Sequence, residues 1–314
     1  MSLYNNFIGI DIGKINFVVA VYGSRKTKSY VNDVSGIKQF ISEFKGLLKK
    51  SLCILETTGG HEMRLILTLC DKGYAVHRAD TRKVKRFIQS YGNDAKTDNL
   101  DACSLALYGY ERANRLSLFT PPSKQALELY ELTQRRADLV KMLVAEKNRL
   151  KAPRADLIKE SCDALIEVLL KQIQQVTENI DQLIEQDSLL KSKKEILKSI
   201  PGIGNIIANE LLILLPELGK LSRRKIASLV GLAPKANDSG QYKGYRSVGY
   251  GRCGIKPKLY LGAMAARRSN SSLKSFYNHL ISKGKLKKVA LTALMRKMIV
   301  IANARIKEFE LVQS

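Results

Sequence analysis

The 314-residue sequence contains no C-x-x-C pair, and His61, His77 and His279 are too few and too scattered to build a zinc site with its cysteines. Those cysteines, Cys53, Cys70, Cys103, Cys162 and Cys253, are odd in number and spread along the chain. They read as reduced, mostly buried thiols, not as a disulfide framework. No run of about 18 uninterrupted apolar residues is present, which excludes a membrane-spanning helix. The opening MSLYNNFIGIDIG lacks the basic segment and cleavage site of a signal peptide, so a cytoplasmic location is expected. Internal repeats and low-complexity tails are also missing. Acids are few beside the bases: 29 Asp and Glu stand against 53 Lys and Arg, a formal charge of +24. Such a self-repelling surplus is relieved by a polyanionic partner, and nucleic acid is the natural one. Between Lys235 and Lys297 there are 15 Lys and Arg and a single acid, Asp238, which makes that segment a footprint for phosphates. Charge alone does not separate a nucleic-acid enzyme from a merely basic protein.

With 45% hydrophobic residues the chain has enough apolar material for two compact domains and a connector. FIGIDIG, NFVVAVYG and the more polar KTKSYVND read as three strands joined by short loops, hence an antiparallel meander. A helix is expected over SGIKQFISEFKGLLKK. A buried strand follows in SLCILETTGG, then a helix in HEMRLILTLCDKG, a strand in YAVHRAD, and helices in TRKVKRFIQSYG and TDNLDACSLALYGYERA. That succession is the order of an RNase H-like α/β domain. Pro121-Pro122 closes it, and two long helices follow, at roughly 123–151 and 156–187. Ile166, Leu169, Ile173, Val176, Ile180 and Leu183 alternate spacings of three and four, the period of a coiled-coil seam. The seam serves either a hairpin within the chain or a subunit interface. Further on, Pro201-Gly202-Ile203-Gly204 between two apolar helical patterns resembles a helix-hairpin-helix, in which glycines let backbone N–H groups approach a phosphate. An ordinary glycine turn between core helices has the same composition.

Four acids stand apart from the rest. Asp11 ends one apolar strand and Glu56 another, so neighbouring strands would bring both to one sheet edge. Asp98 and Asp101, three apart on a helix, share a face. Converging carboxylates repel in a cleft, and divalent cations relieve that repulsion. Oxygen ligands without Cys or His favour Mg²⁺ or Mn²⁺, and two ions about 4 Å apart suit phosphoryl transfer. Asp80 and Asp94 read as caps or surface charges, and Lys96 and Thr97 either contact a phosphate or cap the helix. GIDIG also opens actin-like ATPases and sugar kinases, but those folds need a duplicated second half, which is absent here.

Taken in order, GIDIGK at 9–14, LETTG at 55–59, KTDNLDA at 96–102, PGIG at 201–204 and GLAPKANDSG at 231–240 resemble the DEDD transposases of the IS110 insertion-sequence family. Relatives of that family include the Piv DNA invertase and the bridge-RNA-guided recombinases. The closing KKVALTALMRKMIVIANA resembles the C-terminal helix of its IS1111 subgroup. The resemblance spans nearly the whole chain. It implies a RuvC-like catalytic domain over 1–120 with Asp11, Glu56, Asp98 and Asp101 as catalytic metal ligands, a coiled-coil connector over 121–195, and a mainly α C-terminal transposase domain over 196–314. It further implies a nucleophilic serine, which falls on Ser239 in GLAP-x4-SG, with Lys243, Arg246 and Arg252 at hand for the phosphate and Lys96, Gly202 and Gly204 as further nucleic-acid contacts. As an ordinary loop, Asn-Asp-Ser-Gly would need no such role. The implied function is metal-dependent cleavage and exchange of donor and target DNA through a serine-linked intermediate. A noncoding guide RNA and a homodimer or homotetramer joined by the coiled coil are the implied partners, in a nucleoid-associated setting. The alternative is a RuvC-like junction-resolving endonuclease in which water attacks.

Overall fold

The computed structural model describes residues 4–24, 26–92, 97–152, 155–252, 254–269 and 271–313. The chain divides into two compact units, Met1–Pro122 and Ser123–Ser314.

In the first unit, β1 (Asn6–Ile12), β2 (Asn16–Val21) and β3 (Thr27–Val31) form the antiparallel meander expected from their short connections. Then come α1 (Val34–Leu48), β4 (Ser51–Glu56), α2 (Met63–Asp71), β5 (Ala75–Ala79), α3 (Thr81–Gln89) and α4 (Asp98–Arg112). The helices between β1, β4 and β5 supply the crossovers that parallel strands require, and the sheet order is β3-β2-β1-β4-β5 with β1, β4 and β5 parallel. Strand alternation sorts the core. Ile8, Ile10, Ile12 and Leu55 pack with Phe40 and Leu65 in one layer, while Phe7, Leu52 and Ile54 pack with Val84, Leu105 and Tyr108 in the other. Local signals mark the helix starts: Asp33 Oδ1 accepts from Gly36 N at 2.7 Å, and Asp80 caps α3 by accepting from the backbone of Arg82 and Lys83. Asp80 is therefore the cap its sequence position suggested.

The second unit is mainly helical. Its first part is α5 (Lys124–Arg149) and α6 (Lys159–Glu185), which pack along one another. The apolar period of α6 is used inside the chain: Leu169, Val176 and Ile180 are buried with Leu129, Leu139 and Leu143 of α5. Of the two readings left open by the sequence, the structure selects the hairpin. Ile166, Ile173 and Leu183 of the same seam are partly buried against this cluster.

The remaining helices are α7 (Ser188–Lys198), α8 (Asn205–Leu214), α9 (Arg223–Leu229), α10 (Ile255–Ala266), α11 (Ser272–Ser282) and α12 (Lys287–Gln313), around a core that includes Leu211, Ile226, Leu259, Leu294 and Met298. The α5/α6 hairpin meets this core through polar groups under cover. Arg136 Nε donates to Thr177 Oγ1 at 2.8 Å and Arg136 Nη1 lies 3.5 Å from Glu210, which Lys258 approaches at 2.8 Å. Nearby, Asp181 accepts from Lys194 and Asn209, each at 2.8 Å. Burial pushes the Asp181 carboxyl up, but these two donors outweigh it and hold it below its ordinary range. Among the described residues no helix is long and apolar enough to cross a membrane.

Candidate active site

Helix α4 lies against β1 because two glycines let it. A Cβ on Gly9 would collide with the Ala102 carbonyl oxygen and the Ala106 nitrogen, and one on Gly109 would collide with the Ile54 side chain. Backbone therefore meets backbone at the Gly9 crossing. Gly9 and Asp11 are two apart on β1, and Ile54 and Glu56 two apart on β4, so both acids follow these contact residues on the α4 side of the sheet. Ile10 is in register with Leu55, which makes Asp11 and Glu56 the next residues on adjacent parallel strands. Asp98 and Asp101 occupy the first turn of α4, immediately before Ala102. The positive end of the helix dipole favours carboxylates there. Thr97 caps the same turn, its hydroxyl accepting from Leu100 N at 3.3 Å.

One edge of the sheet thus carries all four acids, Asp98 exposed and the other three half-buried. Their donor set is oxygen only, which fits a hard divalent cation. Among the described residues, however, no three Asp, Glu, His or Cys side chains form a group that could hold a metal ion. The backbone brings the ligand-bearing elements together without closing a coordination shell. Lys96 and Asp94 lie outside the described residues.

Sequence reasoning missed one acid at this edge. Glu62 is completely buried in the loop that follows Glu56, where it accepts from Thr58 N at 3.1 Å and Gly60 N at 2.9 Å and pairs with Arg78 at 2.5 Å. Burial pushes its carboxyl up, but the loop N–H groups and the Arg78 guanidinium outweigh that and hold it below the ordinary carboxylate range. A charged residue within the apolar strand pattern YAVHRAD, Arg78, was the available signal that a buried acid must exist to meet it.

In the second unit, Ser239 lies on a two-stranded hairpin that the sequence did not announce, β6 (Asp238–Ser239) with β7 (Tyr242–Lys243). Gly240 turns it at φ +55 with nothing within 4 Å of where its Cβ would sit. Ser239 is exposed, as are Lys243 and Arg246, and Arg246 Nη2 pairs with Asp238 Oδ2 at 3.2 Å. The surrounding loop is tied at its base. Lys235 N donates to Ser247 O at 2.9 Å, and Gly251 packs so closely on Val230 and Gly231 that no side chain fits.

Arg252 completes that base rather than facing outward. Its guanidinium donates to Leu214 O at 2.8 Å and to both Glu217 carboxylate oxygens at 2.6 and 2.5 Å. Burial raises the Glu217 carboxyl, and Arg252 more than reverses this. Three hydrogen bonds to protein acceptors thus engage part of the Arg252 guanidinium at the base of the loop. Gly202 is also held in the packing. At φ +88 its Cβ would overlap the Gly262 carbonyl oxygen of α10, so the glycine serves close packing of core helices. Gly204, the N-cap of α8, is exposed with open space around it.

Two family models cover most of the chain: residues 8–153 match the DEDD model of IS110 transposases, and residues 194–278 match the model described as transposase of the IS116/IS110/IS902 family. The chain belongs to the IS110 family of transposases. Over 311 residues, 96% of either chain, this transposase is 26% identical to the pilin gene-inverting protein of Moraxella lacunata, and equally so to that of Moraxella bovis. It is also 27% identical over 150 residues to an insertion element IS116 protein of Streptomyces clavuligerus, covering 47% of the transposase and 37% of that protein. The transposase is accordingly a DNA-acting enzyme.

Proposed function

We propose that this transposase cuts and rejoins DNA through a covalent serine intermediate, with a metal-binding RNase H-like domain as its catalytic centre. The observation that carries the reading is the Gly9 crossing, which sets α4 directly on β1, the elements that bear Asp98 with Asp101 and Asp11 beside the strand of Glu56. Divalent cations held there by these four carboxylates, Mg²⁺ or Mn²⁺, would supply charge stabilisation to the phosphoryl group. Asp98 and Asp101 lie three apart on the first turn of α4, so one stable helix presents both toward that edge.

Ser239 is the nucleophile in this reading. Its Oγ forms a bond to phosphorus as the bond from phosphorus to the leaving sugar oxygen breaks, and the hydroxyl proton ends on that oxygen. A sugar hydroxyl of the new strand then attacks the phosphoserine, restoring the serine and closing the strand without external energy. Lys243 and Arg246 hold the phosphate, while Arg252 holds the loop. Relatives named for gene inversion and for an insertion element support strand exchange as the outcome. A noncoding guide RNA supplies sequence choice by base pairing, leaving the protein to read backbone and shape. A homo-oligomer completes the assembly.

The test is adduct trapping on a nicked donor substrate. Wild-type protein should form a covalent protein–DNA species, whereas Ser239→Ala should bind DNA and form none; Ser247→Ala is the matched control and should behave as wild type. Cleavage by Ser239→Ala at the wild-type rate would transfer the attack to water, as in a junction-resolving endonuclease.

A further inference from the structure

The loop that carries Ser239 also carries three tyrosines, whose rings offer more than a hydroxyl for phosphate. Tyr242, Tyr245 and Tyr250 keep 65%, 78% and 74% of their surface exposed. Large aromatic rings left in water within nine residues of one another mark a segment suited to meet something flat and apolar.

Their placement is specific. Tyr242 is the direct cross-strand partner of Ser239 in the hairpin. Opposed residues on an antiparallel pair emerge on one face with Cβ atoms about 5 Å apart, so the tyrosine and the serine share a face. Asp238 and Lys243 are the next pair and emerge on the other face. Tyr250, between Gly249 and Gly251, stands at φ +45, unlike every other non-glycine residue described. A glycine would adopt that conformation without strain, so the tyrosine is held there at a conformational cost. Its ring lies under Lys235 Nζ, 4.5 Å from the centroid. Tyr245 lies between the two in sequence, next to Arg246.

Flat rings interleaved with cations suit a single strand, whose phosphates meet the cations while its bases stack on the rings. A closed duplex offers the cations the same phosphates but keeps its bases stacked internally, leaving the rings idle. We propose that Tyr242, Tyr245 and Tyr250 form a stacking platform for unpaired bases of the DNA strand whose phosphate Ser239 attacks. The substrate at this site is then a locally opened strand, with the base beside the scissile phosphate resting on Tyr242. The platform rests on the reading of Ser239 as nucleophile only for which strand is bound; the stacking stands on the rings themselves.

The experiment compares full-length wild type with a Tyr242→Ala, Tyr245→Ala, Tyr250→Ala variant and with the corresponding triple phenylalanine variant. Binding is followed by fluorescence anisotropy on a labelled single-stranded DNA, an abasic strand of equal length, the matching duplex and an RNA strand of the same sequence. The alanine variant should bind single-stranded DNA about tenfold or more weakly, with an unchanged salt dependence, because stacking and not phosphate contact is lost. Abasic and duplex DNA should bind to both proteins alike, and phenylalanine should restore the wild-type affinity. An equal loss on the abasic strand, no loss on single-stranded DNA, or a loss confined to RNA would each overturn the proposal. Adduct trapping on the same proteins keeps the two readings apart. Base-independent binding with an intact Ser239 adduct defeats the platform, whereas a normal adduct from Ser239→Ala with base-dependent binding defeats the nucleophile alone.

Discussion

The strand face that leads to Asp11 is close-packed on α4 at Gly9, whereas around Ser239 nearly all side chains from Lys235 to Arg246 are open to water. At the sheet edge the distance between β1 and α4 is set by backbone atoms in contact at Gly9, and the acids are carried past that contact on rigid elements. At the hairpin, firm attachments among the described residues gather at the base, where Gly251 packs on Gly231, Arg252 pairs with Glu217 and Lys235 N donates to Ser247 O. The difference fits two tasks. Charges that must share cations need fixed spacing, which rigid elements supply, while a group that must reach a large substrate needs access and a turn that yields.

The comparison breaks most visibly at the acids. Asp11→Asn should lower strand exchange on the order of a hundredfold or more, since a metal-held charge supplies several kcal/mol to phosphoryl transfer, and should leave the melting temperature where it was. Recombination assays beside thermal melts read both quantities, and full activity would remove Asp11 from the site.

The glycines should respond unequally. Gly9→Ala drives a methyl group into the backbone of α4, and overpacking of this kind costs about 1–3 kcal/mol or more, enough to lower the melting temperature by several degrees and to displace the acids. Gly240→Ala meets no neighbour and bears only the strain of a positive φ, about 1 kcal/mol confined to the turn. If both variants melt alike, the contrast between packed edge and open hairpin is wrong.

The hairpin of α5 and α6 should suffer from a buried charge. Ile180→Asp places an unpaired carboxylate among Leu129, Leu139 and Val176, with a loss of a few kcal/mol visible in chemical denaturation. Had the seam joined subunits, molar mass would fall at unchanged helicity instead.

The smallest effect is one of pH. Glu43 accepts from Lys28, Tyr30 and Gln39, and these donors hold its carboxyl at about 2, below its ordinary 4.5. A lowered folded pKa contributes stability above about 4.5 that is lost as pH falls toward about 2. The stability difference between wild type and Glu43→Gln should therefore be full at neutral pH and vanish across that acid window.

Legibility followed the physics. The strands and helices of the first unit were readable because alternating and 3.6-residue apolar patterns report directly on a two-layer core, and Asp11 and Glu56 could be singled out as acids ending apolar strands. Glu62 was not, since its burial depends on Arg78 arriving from a strand that is distant in sequence. The α6 seam was visible as a period, yet a period does not say whose side chains cover it. Gly202 and Arg252 were read as ligand contacts because their chemistry suits phosphate. Their partners, Gly262 and Glu217, become neighbours only when the helices pack. The hairpin at Ser239 left almost no trace, its two-residue strands being too short for any periodicity.

The polar attachment of the α5/α6 hairpin has a mechanical consequence. From Asp181 back to Lys159, α6 runs for roughly 33 Å at 1.5 Å per residue, and its most extensive packing is with α5. A rod of that length is a lever: tilting it by about 10° at its root carries its far end some 6 Å, roughly the radius of a helix with its side chains. Greasy surfaces tolerate such slippage, but the pairing of Arg136 with Glu210 and of Asp181 with Lys194 and Asn209 is directional and is lost as the rod tilts. Aim, and not only adhesion, is what these buried charges contribute. The position of the distal Leu165 and Val168 is decided far from them, by a few hydrogen bonds at the root.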